Sequence, residues 1–92
     1  MEDGLIPRIS DLRVSQAQRH GVVVGLPREE AQRIAMFADL LSATYEWRDL
    51  GFMFDSLTHH SGNTWKVQVD NRWWLAFEWI DELGPVNLRL LE

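Results

Sequence analysis

GNTWKVQVDNRWWLAFEW, residues 62–79, is the stretch whose reading decides the fold, and it holds four of the five tryptophans in the chain. Trp65, Val67 and Val69 alternate with Lys66 and Gln68. A period of two describes a strand with one apolar and one polar face. Asp70-Asn71-Arg72 follows, and because Asn and Asp tolerate left-handed backbone the three residues read as a turn. Trp73, Leu75, Phe77 and Trp79 then alternate with Trp74, Ala76, Glu78 and Ile80. Apolar side chains on both faces mark this second strand as central in its sheet.

Downstream of the hairpin, DELGP (residues 81–85) is another turn and residues 86–91 a last strand. Upstream, residues 52–57 read as a first strand and THHSGN (residues 58–63) as a loop. Helical signals lie further towards the N-terminus. Pro27 suits a first helical position, Glu29 and Glu30 favour the positive end of the dipole, and Ala31, Ile34, Ala35, Ala38 and Leu41 form a stripe widened by Phe37 and Leu40. That helix is expected to reach about Thr44, with a short helical piece at residues 46–50 ended by Gly51. Ser10 is a plausible N-cap for a weaker helix over residues 11–20, stopped by Gly21. Val22-Val23-Val24 is a buried connector or a brief strand, and residues 6–9 are a candidate edge strand interrupted by Pro7. Helices followed by an antiparallel meander of three or four strands define an α+β domain, with helices packed on one sheet face and residues 1–92 as a single unit.

The chain has 92 residues, nine basic side chains against fourteen acidic ones, and a net charge of −5. Tight nonspecific nucleic-acid binding draws most of its affinity from phosphate contacts, so this balance weighs against it and favours a protein partner. The absence of cysteine rules out a disulfide framework and a thiolate metal site. No apolar run approaches a membrane span, and MEDGLIPRISD lacks the apolar core of a leader, so a cytoplasmic protein is expected. There is no nucleotide-binding loop, zincin motif, nucleophile elbow or paired-carboxylate motif, so neither a cofactor nor a metal is expected.

Three segments carry a resemblance to the RelE/ParE superfamily of bacterial toxins, and within it to the HigB branch of plasmid-maintenance killer proteins. RIAMFADLLSATYEWRDL is similar to the branch's helix and its DL pair, WKVQVDNRWWLAFEW to its tryptophan strand, and DELGPVNLRLLE to its closing segment. Residues 26–92 hold the matched region, and residues 1–25 match poorly. The resemblance implies a RelE-like ribonuclease-toxin fold, an antitoxin partner and cleavage of messenger RNA in the ribosomal A site. It implies a metal-free reaction in which a 2′-hydroxyl attacks the adjacent phosphate, cations stabilise the developing charge, and a Tyr or His handles protons.

The chain departs from the family where that chemistry resides. The family's Arg after the strand tryptophan is Trp74 here, its closing Tyr-His has no counterpart because Glu92 aligns with the preceding Asp, and its loop Lys-Gly is replaced around Thr58-His59. An indole supplies no positive charge. The reading that follows is a RelE/HigB-like domain acting through protein binding, with cleavage weak or lost. Trp74 is then a contact for an antitoxin-like partner or for host machinery, since Trp is enriched in interaction hot spots. An alternative is an active messenger-RNA interferase using His59 or His60 with Lys66, Arg72 and Arg89. Another is an acidic inhibitor of a nucleic-acid-binding machine, with Glu78, Asp81, Glu82 and Glu92 gathered on one face. The bland readings are surface-loop histidines, a solvated face for Lys66, Arg72 and Arg89, and core positions for Trp65, Trp73 and Trp79.

Overall fold

The computed structural model describes residues 8–92 as three helices packed on one four-stranded antiparallel sheet, an α+β fold. The elements are α1 (Leu12–His20), α2 (Arg28–Ser42), α3 (Trp47–Met53), β1 (Thr58–Ser61), β2 (Thr64–Gln68), β3 (Trp74–Ile80) and β4 (Gly84–Leu91). The strands follow one another across the sheet in chain order, so each is joined to its neighbour by a short turn.

The hairpin register follows the alternation in the sequence. Trp65 stands opposite Phe77 and Val67 opposite Leu75, whereas Lys66 stands opposite Ala76 and Gln68 opposite Trp74. The first two pairs face the helices. Val67, Leu75, Phe77, Leu88 and Leu90 form a buried core with Val14, Ala17, Ala31, Ile34, Ala38 and Leu41 of the two longer helices. The α2 stripe read from the sequence is the stripe that is buried. Among the described residues no helix packs on the other sheet face. One irregularity interrupts β3–β4: Ala76 pairs with Arg89 and Glu78 with Val86, so Phe77 faces two residues, Asn87 and Leu88. Asn87 absorbs the extra residue at φ 58, a left-handed geometry that Asn tolerates.

Several element boundaries differ from the sequence reading. Residues 52–57 are not a strand: Phe52 and Met53 close α3, and the Phe54 amide donates to the Leu50 carbonyl at 2.9 Å as a helix-ending bond. The apolar run Phe52-Met53-Phe54 suits a strand locally, but Phe54 is buried against Phe37 with ring centroids 5.5 Å apart while Phe52 is exposed. Packing on α2 overrides the local pattern. For the same reason α3 runs through Gly51 instead of stopping there. The expected loop at residues 58–63 is the edge strand β1 followed by a tight turn at Gly62-Asn63, with Gly62 at φ 49. The N-cap of α1 is Asp11, one residue beyond Ser10. Pro27 is the N-cap of α2, one residue before its first turn. The Val22-Val23-Val24 segment is a connector in which Val23 is buried and Val24 exposed. Of the expected edge strand at residues 6–9, Ile9 forms a parallel bridge to Leu88, and residues 6 and 7 lie outside the described residues.

Candidate functional site: the open sheet face

The helix-free face is assembled by register. Lys66 from β2, Trp74, Ala76 and Glu78 from β3, and Arg89 and Leu91 from β4 share it, because directly opposed residues in antiparallel strands project to the same side. Trp74 is half-buried, with no helix over it among the described residues. The Lys66 ammonium stands over its ring, 4.4 Å from the centroid. Such a contact is worth ~0.5–1 kcal/mol at a partly exposed site and holds the cation against the indole. Arg89 is also committed. Its Nη1 donates to the Asn87 backbone carbonyl at 2.8 Å and lies 3.8 Å from Glu78 Oε2, which accepts from the Asn87 side-chain Nδ2 at 3.1 Å. Ala76 and Val86, on the same face by register, are buried. The face is thus an indole and a small apolar floor rimmed by one ammonium and one guanidinium–carboxylate pair.

The other sequence-derived candidates lie elsewhere. His59 is opposite Trp65, on the helix side of the sheet, with ring centroids 4.8 Å apart and Nε2 within 2.8 Å of the Gly62 carbonyl oxygen. His60 is the extra, exposed residue at the β1 irregularity. Arg72 sits in the turn between β2 and β3, where its Nε donates to Glu92 at 2.9 Å, Nη1 lies 3.7 Å from Glu30, and its guanidinium stands 4.5 Å from the Trp73 centroid. Lys66 and Arg89 therefore share one face, while His59 lies on the other and Arg72 at its end. The acids do not gather either: Glu78 belongs to the open face, Glu92 to the Arg72 pair, and Asp81 and Glu82 to the β3–β4 turn. Among the described residues no group of three or more His, Cys, Asp and Glu side chains is placed to hold a metal ion, and no helix is long and apolar enough to cross a membrane.

Two networks escaped sequence reasoning. Asp11 caps α1 by accepting from the Arg13 amide at 2.9 Å, takes two bonds from the Arg13 guanidinium at 3.1 and 2.9 Å, and accepts from the Leu90 amide at 3.0 Å. Burial works against its charge, but the Arg13 side chain and the Leu90 and Arg13 amides outweigh it and hold Asp11 below the ordinary carboxylate value. The same bond, against a smaller desolvation, raises Arg13. Trp73, buried as expected, donates from Nε1 to Glu30 at 2.9 Å and carries guanidinium groups of both Arg13 and Arg72 near its ring. Both networks span distant parts of the chain, so only the N-cap identity of Asp11 had a local signal.

No protein-family model matches the sequence, and no curated protein matches it.

Proposed function

We propose that this chain is a cytoplasmic RelE/HigB-like domain that works by binding a protein partner, with ribosome-dependent cleavage of messenger RNA weak or lost. The observation that carries the reading is the state of the cations on the open face: Lys66 is stacked on Trp74, and Arg89 is paired with Glu78. Cleavage needs a cation aimed at a developing phosphorane and a proton-transfer group within hydrogen-bond reach. Here the histidine that packs on Trp65 lies across the sheet from both cations. A half-buried indole on a sheet face that no helix covers among the described residues suits a partner's apolar side chain, with Lys66 and Glu78 at the rim to fix register.

The test is co-expression with the products of the adjacent reading frames, followed by affinity purification through this chain. The reading expects one of those products to co-purify with the wild type and to be lost with Trp74→Arg, which would force a third cation beside Lys66 and Arg89. Co-purification unaffected by Trp74→Arg and Trp74→Ala would remove the open face from the account.

A further inference from the structure

We propose that the aromatic cluster at the α3 end of the molecule is a second docking surface, built for a cationic amphipathic segment of a partner protein. It lies on the helix side of the sheet, away from Trp74, and does not depend on the reading of the open face. Trp47 opens α3 and stays 38% exposed. Its ring meets Trp65 edge-on at 4.7 Å and Trp79 at 5.4 Å. Tyr45, two residues before Trp47, and Leu83, in the β3–β4 turn, are exposed. The β3–β4 turn is brought there by Gly84, whose backbone approaches Thr44 and Tyr45 so closely that a Cβ at 84 would stand 2.9 Å from the Thr44 carbonyl oxygen.

Two observations identify the occupant. The first is internal to the protein: Trp73 has Arg13 and Arg72 near its ring and Trp74 has Lys66, whereas among the described residues no Lys or Arg stands over Trp47, Trp65 or Trp79, and the basic ring packed there is His59, 4.8 Å from Trp65. The second is charge. Glu46 and Asp49 lie within two residues of Trp47, and Asp81 and Glu82 within three of Trp79, against Arg48, which is itself 3.4 Å from Glu46, and His59 on Trp65. Electron-rich ring faces inside an acidic rim attract Lys and Arg, while the apolar plate takes the aliphatic side chains between them. A second copy of this chain would set the four carboxylates against their own equivalents, and an anionic membrane would repel them.

The probe is a synthetic amphipathic helix of leucine and lysine, titrated into the full chain while the indole N–H signals of the five tryptophans are followed by NMR. The signals of Trp47, Trp65 and Trp79 should move, and those of Trp73 and Trp74 should not. Affinity should fall at least about tenfold in Glu46→Lys/Asp81→Lys, where both changes are at exposed positions. It should be unchanged in Glu29→Lys, which alters net charge at a distant exposed site, and in Trp74→Arg, which separates this surface from the open face. A leucine–glutamate peptide should not bind. Equal binding by wild type and the double reversal, movement confined to Trp73 and Trp74, or no saturable binding would overturn the proposal. So would the same three signals moving with protein concentration alone, which assigns the surface to a second copy, or with phosphatidylserine vesicles, which assigns it to a membrane.

Discussion

Replacing Asp11 by Ala removes one side chain from three jobs at once. The α1 cap is lost, which costs ~1 kcal/mol at a typical site. The Leu90 amide in β4, bonded to Asp11 Oδ2 at 3.0 Å in a partly buried setting, is left without its acceptor. Orphaning such a donor costs ~1–3 kcal/mol. The Arg13 pair is half-exposed on the arginine side and adds no more than ~1 kcal/mol. The expected loss is ~2–5 kcal/mol, a large part of the ~5–14 kcal/mol that a chain of this length commands. At ~4–8 °C per kcal/mol the midpoint should fall by ~8–40 °C. Urea denaturation followed by tryptophan fluorescence reads it directly, with an unchanged denaturant slope showing that the unfolded state is the same. Asp11→Asn keeps an oxygen for the cap and should lose about half as much. The sign with pH is fixed by the lowered folded-state value: the Asp11 contribution is fully present above its ordinary value of 3.8 and disappears as pH falls through the lower folded one. The wild type should therefore lose its advantage over Asp11→Asn only in that acid window. A loss under ~0.5 kcal/mol for Asp11→Ala would refute the claim that this carboxylate ties α1 to the sheet.

Gly84→Ala should destabilise the fold by ~2–4 kcal/mol, because φ is 85° and the new Cβ would meet the Thr44 carbonyl oxygen at 2.9 Å; a neutral result by thermal unfolding would contradict the close packing of the β3–β4 turn on Tyr45. Trp73→Phe should cost ~1–3 kcal/mol by chemical denaturation, through the lost bond to Glu30 and a smaller ring in a closed site. Glu30→Gln keeps the acceptor and should cost less than half of that, and equal losses would show that charge, and not the hydrogen bond, holds the indole.

Alternation was the most legible feature of the sequence. Trp65, Val67, Leu75 and Phe77 were readable as one face because a strand reverses its side chains at every residue, and the core they build depends on that fact alone. The α2 stripe was legible for the equivalent reason at helical period. Residues 52–61 were misread because the local signals there conflict. Phe52-Met53-Phe54 is a short apolar run that either state accepts, and two histidines in Thr58–Ser61 look like loop chemistry. What settles both is tertiary: Phe54 packs on Phe37, and Thr58 and His59 take their partners from β2. At the open face, the position of Trp74 was legible from its parity relative to Trp73. The stacking of Lys66 upon it was not, since that depends on the register that sets Gln68, two residues away, directly opposite Trp74. The meeting of Trp47 with Trp65 and Trp79 joins α3 to two strands across a turn and left no trace in spacing.

The central claim is that Trp74 stands in for a catalytic cation and leaves a binding domain. Purified protein incubated with ribosomes stalled on a defined message, with cleavage mapped by primer extension, tests it most directly. The account predicts no cuts above those left by a His59→Ala/His60→Ala variant, and no growth arrest on induction. Site-specific cuts that the double substitution abolishes would contradict it.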